Sequence, residues 1–202
     1  MNDSNLQTLR SYEERVQAYI DGTSSIVAAA AKDWIDAALL GLPADAKCLE
    51  LGSAFGRDAA YIASKGFDIE CTDAVPGFVA ELRARGFKAR GFNALTDDLA
   101  DRYDLIFANA VMLHFDAREF LFVLKKMTRA LTSGGRFAFS LKRGKGEGWS
   151  KEKIGAPRFF CYWEPETLQP ILRDAGFAGW SLNEAHTERA HADWLFVIGR
   201  AP

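Results

Sequence analysis

Cysteine, histidine and proline are scarce in this chain: three, three and six residues among 202. Cys48, Cys71 and Cys161 lie far apart, form no C-x-x-C pair, and are joined only by His114, His186 and His191. That excludes a Cys/His metal site of recognised spacing, so no metal is expected. Cys48 and Cys71 sit in apolar, strand-like runs, where free cysteine behaves as a small hydrophobe. An odd, scattered cysteine set points to a reducing, cytoplasmic compartment. Long apolar runs are also missing, and none approaches the ~18–20 residues of a membrane span. The opening MNDSNLQTLRSYEERVQ lacks the apolar stretch of a signal peptide. Neither charge is in excess: 25 Lys and Arg face 27 Asp and Glu, a net charge of −2. The overall basic field used in non-specific binding to nucleic acid or anionic membranes is therefore lacking, although a local basic site stays possible.

What is present suits a folded chain of about one domain, with 49% hydrophobic and 26% charged residues. Residues 1–45 read as a helical segment: Tyr12, Val16, Tyr19 and Ile20 recur at helical spacing, a break follows at Asp21-Gly22-Thr23, and a second helix runs from Ile26 to Leu40. From Lys47 short apolar strands alternate with helices, the rhythm of β-α units around a parallel sheet. The strands expected are 47–51, 68–72, 87–91, 103–108, 135–141, 177–185 and 192–199. Pro76 and Pro165 suit first turns of helices that stop at Gly86 and Gly176, and Asp116 with Glu119 forms a capping box for a helix reaching Leu131. Residues 142–157, KRGKGEGWSKEKIGAP, have no period and read as a long loop, extended by the aromatic run to 162.

The most informative run is CLELGSAFGRD, Cys48 to Asp58. An apolar strand ends at Glu50, and the small-residue turn Gly52-Ser53-Ala54-Phe55-Gly56 leads through Arg57 into a helix. Such a turn brings backbone close to a ligand at the carboxyl edge of an open sheet, next to a helix N-terminus. A dinucleotide fingerprint, G-x-G-x-x-G, fails here, because Ala54 and Arg57 occupy its second and third glycine positions. Asp73, followed by Ala74, ends the second strand, where a carboxylate meets ribose hydroxyls in either cofactor class.

The same run resembles the E/D-x-G-x-G-x-G loop of class I S-adenosylmethionine-dependent methyltransferases: Glu50, Gly52 and Gly56 match, and Ala54 replaces the middle glycine. YDLIFANAVMLHF and LKKMTRALTSGGRFAFS are similar to later blocks of that family, with Ser133 where proline is usual. The resemblance covers roughly residues 46–200. It implies an α/β, doubly wound, Rossmann-like sheet of seven strands in the order 3-2-1-4-5-7-6, mostly parallel with the last strand antiparallel, in a single domain spanning 1–202. It implies S-adenosyl-L-methionine as cofactor and, as binding residues, Tyr19, Glu50, Gly52, Ser53, Ala54, Gly56, Arg57, Asp73 and Ala74. The third and fourth strand ends add Asn93, Ala94, Leu95, Asn109 and Ala110. The N/D-P-P-Y/F motif of amino-methylating nucleic-acid and protein enzymes is absent, so the expected partner is a small-molecule acceptor, with no nucleic acid and no membrane.

The reaction implied is in-line displacement at the methyl carbon, which needs orientation more than acid–base help. His114, after the fourth strand, offers a general base, an acceptor ligand, or a residue packed against the cofactor. Lys142 and Tyr162, with Glu147 and Arg158, flank the 142–162 segment, an acceptor-side element that could close over the site; a solvated loop is the alternative. A dinucleotide-dependent oxidoreductase and a catalytically silent cofactor-binding module remain the competing readings.

Overall fold

A computed structural model describes residues 3–187 and 192–202; Met1 and Asn2, within the expected helical segment, and His191 lie outside them. Seven strands form one sheet: β1 (Cys48–Leu51), β2 (Ile69–Asp73), β3 (Ala89–Gly91), β4 (Tyr103–Ala108), β5 (Leu131–Lys142), β8 (Gly179–Thr187) and β9 (Ala192–Arg200). Their order is β3-β2-β1-β4-β5-β9-β8. The pairings from β3 through β5 are parallel, and β9 runs antiparallel to both β5 and β8. This is the expected order and direction.

Three helices lie outside the β-α rhythm at the front of the chain: α1 (Asp3–Glu13), α2 (Val16–Asp21) and α3 (Ala29–Leu39). The others connect strands: α4 (Arg57–Ser64), α5 (Pro76–Ala84), α6 (Ala117–Arg129) and α7 (Pro165–Asp174). The punctuation read from sequence sits where it should. Pro76 and Pro165 open their helices, and the Asp116 side chain caps α6 by accepting from the Glu119 N–H at 2.8 Å. Apolar residues cover both faces of the sheet. Trp34 of α3, Ile62 of α4 and Leu82 of α5 pack on Cys48, Leu105 and Phe107. Phe120 and Leu124 of α6 and Leu172 of α7 pack on Leu49, Ile106 and Phe139 opposite. The Trp34 ring lies 4.6 Å from Phe107 and 5.0 Å from Phe196 and donates its indole N–H to the Val197 carbonyl, which locks α3 to the sheet.

The expected loop from 142 to 157 is corrected. β5 continues through Lys142, and an antiparallel hairpin follows, β6 (Glu147–Ser150) paired with β7 (Arg158–Cys161). Only residues 151–157 connect them outside the strands. The aromatic run is structural: Phe159, Phe160 and Trp163 are buried, while Trp149 is 51% exposed. β5 also begins at Leu131 rather than 135, because Leu131 pairs with Tyr103 across an irregularity in the register.

Candidate functional site

A cleft opens over the carboxyl ends of β1, β2 and β4, the place where open α/β sheets bind ligands. Gly52 and Ala54 line it from the β1–α4 turn. Gly52 has a φ of +64°, and a Cβ there would come within 2.4 Å of the Val111 side chain. Only glycine fits between that wall and the turn. Gly56, at φ +84°, faces the Phe87 ring, with which a Cβ at this position would collide. Ala54 replaces a glycine at a cost, since its φ of +50° is left-handed.

Asp73 is the anchor of this floor. One carboxylate oxygen accepts the Ala54 N–H and the other the Val75 N–H, both at 2.9 Å. Burial raises its pKa to about 6, partly opposed by the N–H groups of Val75, Ala54 and Ala74. The carboxylate is still ionised at neutral pH, faces the cleft, and keeps lone pairs beyond those two bonds. Ala74, Asn93, Ala94, Asn109 and Ala110 line the same cleft. The Asn93 carbonyl oxygen accepts the Leu95 N–H at 3.0 Å, which shapes the turn after β3.

Beneath the floor lies a polar chain. Arg57 holds Asp58 through two bonds, of 2.7 and 3.0 Å, and Asn109 donates to Asp58 at 2.8 Å. The Asn109 carbonyl oxygen accepts from Ser140, whose oxygen accepts the Ala110 N–H. Glu50, 2% exposed, ends β1 beside this chain with one carboxylate oxygen unpartnered. Burial, with Asp58 nearby, raises its pKa to about 8. Glu50, Ser53, Gly56, Arg57 and Leu95 therefore support the cleft from behind rather than lining it.

The roof joins Tyr12 and Tyr19, which recur at helical spacing in the sequence, to α1 residues that this periodicity does not single out. α1 turns Asn5, Thr8, Leu9 and Tyr12 onto the cleft, and Tyr19 joins them from α2. Polar bonds tie α1 to β7: Phe159 N–H donates to the Thr8 hydroxyl at 3.0 Å, and the Ser11 hydroxyl donates to the Pro157 carbonyl at 2.6 Å. His114 follows β4 in a single 3₁₀ turn, Met112–His114, and lines the cleft. Its Nδ1 lies 2.6 Å from the Phe159 carbonyl oxygen and its Nε2 2.9 Å from the Tyr12 hydroxyl. The carbonyl can only accept, so Nδ1 carries the proton and Nε2 accepts from Tyr12. The Tyr12 oxygen in turn accepts from Arg158 at 3.1 Å. Burial lowers the His114 pKa to about 3, with Arg158 and Lys142 adding to the effect, so the imidazole is neutral. Both ring nitrogens are engaged, which makes His114 the support of the Tyr12 hydroxyl and not a free base. Lys142 and Tyr162 do not line the cleft. They sit against opposite parts of Phe160, the ammonium 4.6 Å from its ring centroid and the Tyr162 ring stacked at 6.4 Å.

Known proteins share this architecture. The family model described as "Methyltransferase domain" matches residues 24–182. A Burkholderia thailandensis 1,6-didemethyltoxoflavin-N1-methyltransferase, solved with 1,6-didemethyltoxoflavin and S-adenosylhomocysteine, superposes with a TM-score of 0.72 at 21% identity, over 96% of this chain and 84% of its own. A Haemonchus contortus phosphoethanolamine N-methyltransferase 2, solved with S-adenosyl-L-methionine, gives 0.76 at 12% identity, over 100% of this chain and 60% of its own. A Methanosarcina mazei SAM-dependent methyltransferase gives 0.66 at 15% identity, over 79% and 94%. At these identities the likeness is one of fold. No curated protein sequence matches the chain with significance.

Proposed function

This chain belongs to the methyltransferase-domain family, and from that premise we propose that its cleft binds S-adenosylmethionine and that it methylates a small-molecule acceptor. The observation that carries the reading is the meeting of the Gly52–Ala54 turn and the Asp73 carboxylate at one sheet edge, on the floor of the cleft. The donor set suits the cofactor. Asp73 is a buried, ionised acceptor for a ribose diol, and Val75, Phe92 and Ala94 supply apolar surface beside it. The solved relatives with S-adenosylmethionine or its demethylated product point the same way.

S-adenosylmethionine supplies, when bound, a methyl group on a sulfonium leaving group. The residues of this chain have the work of placement. The turn and Asp73 fix the floor, and α1 with Tyr19 covers the cleft and keeps water from it. Tyr12 presents its hydroxyl oxygen at the cleft wall, held between the Arg158 guanidinium and the lone pair of His114 Nε2. An acceptor N–H or O–H can donate to that oxygen, which orients the nucleophile's own lone pair. The β6–β7 hairpin acts through this roof, since Arg158 and the Phe159 carbonyl fix Tyr12 and His114. We place Lys142 and the 142–162 segment on the acceptor side and the cofactor contacts before residue 115. The free cysteines Cys48, Cys71 and Cys161 suit a reducing compartment such as the cytoplasm.

Calorimetric titration of S-adenosylhomocysteine and of NAD tests the reading. S-adenosylhomocysteine alone should bind, and turnover should follow with a panel of small acceptors. Binding of NAD in its place would assign the cleft to a dinucleotide. Cofactor binding without turnover on any acceptor would favour a silent binding module.

A further inference from the structure

Three cations stand against the roof with no carboxylate bound to them. The Arg158 guanidinium lies 5.5 Å from the Tyr12 ring centroid and 5.1 Å from that of Phe160. The Lys142 ammonium lies 4.6 Å from the same Phe160 ring, and the Lys153 ammonium 3.9 Å from the Tyr19 ring. Tyr12 and Tyr19 both line the cleft and meet edge to face at 5.5 Å, so the cations bracket one wall of it.

Arg57 pairs with Asp58, Arg90 with Glu70, and Arg143 with Glu164 and Glu184, whereas the buried Arg136, like Arg158, donates to a backbone carbonyl and forms no ion pair among the described residues. Among the described residues, Lys142, Lys153 and Arg158 form no ion pair. Arg158 is only 6% exposed. It donates to the Tyr12 oxygen and the Glu152 carbonyl oxygen, while its Nε has no partner. The Glu152 carboxylate acts on Lys142 through its charge and forms an ion pair with none of the three. The cations also repel one another. Burial lowers the ammonium pKa of both lysines, and Arg158 lowers them further; that of Lys153 falls to about 8. Lys153 reaches its position from a left-handed backbone, φ +72°, which is costly for lysine. Arg158 is buried, Lys142 half-buried and Lys153 exposed, so the three run from the hairpin interior out to solvent behind the cleft wall, with no carboxylate paired to any of them among the described residues.

We propose that Lys142, Lys153 and Arg158 form the anion-binding end of the acceptor site, and that the methyl acceptor carries a phosphate or carboxylate held there beside Tyr12 and Tyr19. The inference rests on the methyltransferase reading above and adds the substrate class. Arg158 contributes a guanidinium fixed by Tyr12 and Glu152, so the anion meets a preorganised charge. The two lysines reach in from opposite ends of the hairpin segment and supply adjustable charge. Asn5, buried in the same roof with its carbonyl oxygen unpartnered, offers an acceptor to a donor group on the same ligand.

The test uses protein loaded with S-adenosylhomocysteine, titrated with inorganic phosphate and, separately, with acetate, at ionic strength held constant with chloride. Saturable binding of either anion is expected; phosphate alone would point to a phosphorylated acceptor and acetate alone to a carboxylate. In the Lys142→Met/Lys153→Met variant that binding should weaken about tenfold or more, while S-adenosylhomocysteine affinity stays within about threefold. Three outcomes overturn the proposal. They are no saturable anion binding, equal binding in the variant, or a loss of S-adenosylhomocysteine affinity as large as the loss for the anion, which would give these cations to the cofactor's own carboxylate. If S-adenosylhomocysteine does not bind the unaltered protein, the methyltransferase reading fails instead, and the same titrations on ligand-free protein still decide whether the anion site exists.

Discussion

The floor of the cleft rests on Leu49, Leu51, Ile106 and Ala108, strand residues sunk in the core of the sheet; the roof rests on a helix whose inward stripe is Ser4, Asn5, Thr8 and Ser11. The floor is held by buried apolar area and by turns that admit only glycine. The roof is held by hydroxyl and carbonyl bonds to one edge of a two-stranded hairpin. Apolar burial fixes the floor wherever its side chains interdigitate, without regard to direction. Directional bonds fix the roof only while each partner is present, so single atoms matter more there.

The largest effect expected of this contrast is on turnover from the roof. His114→Ala removes the acceptor that orients Tyr12 and should lower kcat about 100-fold, the cost of a misplaced group, with S-adenosylhomocysteine affinity within about threefold. Tyr12→Phe should match it, and the double variant should be no slower than either single one. Additive losses would show that the two residues do not act through one another. Next comes Asp73→Ala in the floor. The charge-assisted bonds to ribose should be lost at roughly 1.5–3 kcal/mol, weakening the cofactor about 10–100-fold. Asp73 also ties Ala54 to Val75, so the unliganded protein should unfold more easily, by a similar amount, in urea. The two backbone bonds are the reason to expect a stability effect beside the loss of cofactor.

A smaller effect is tied to pH. Glu50 has a folded pKa of about 8 against an ordinary 4.5. The folded state therefore keeps a proton that the unfolded chain has released, and stability falls as pH rises through this range, by at most about 1.4 kcal/mol per unit. Between pH 6.5 and 8 two groups oppose Glu50: the unfolded chain holds protons on His114 near pH 6.5 and on Lys153 near pH 8 that the fold, with pKa values of about 3 and about 8 there, releases, so the Glu50 share is the difference between the protein and its Glu50→Gln variant. Asp58, Arg57 and Asp73 are the charged groups around Glu50. Urea unfolding of ligand-free protein across that window should show a shallower decline than Glu50 alone would give, and Glu50→Gln should turn it into a rise with pH. The smallest effect belongs to the roof bonds: Thr8→Val and Ser11→Ala should each cost about 1 kcal/mol and act chiefly on acceptor KM. A loss of cofactor affinity instead would place α1 in the floor.

The same contrast explains what was legible in the sequence. The strands under the floor announce themselves by apolar runs, and CLELGSAFGRD marks the turn because its glycines have conformational work to do. Asp73, Asn93, Asn109 and Ala110 followed from their places at strand ends and do line the cleft. Glu50 and Arg57 have the right sequence positions but turn beneath the floor, a direction that a linear pattern does not carry. The roof was hidden for a physical reason. Helix faces are found by apolar periodicity, and α1 buries hydroxyls and an amide. Tyr12 was visible only as one aromatic at helical spacing. The hairpin was hidden because EGWS lacks alternation and RFFC is buried on both faces, so neither half reads as a strand.

The polar stripe of α1 has a thermal consequence. Lifting apolar surface into water raises heat capacity, whereas exposing polar groups lowers it. Displacing α1 would hydrate Ser4, Asn5, Thr8 and Ser11 and release mainly hydrogen bonds, which water replaces. Lifting α1 also exposes Leu9 and Tyr12, whose apolar surface the polar stripe offsets, so uncovering the cleft changes heat capacity less than displacing a wholly apolar helix of the same area would.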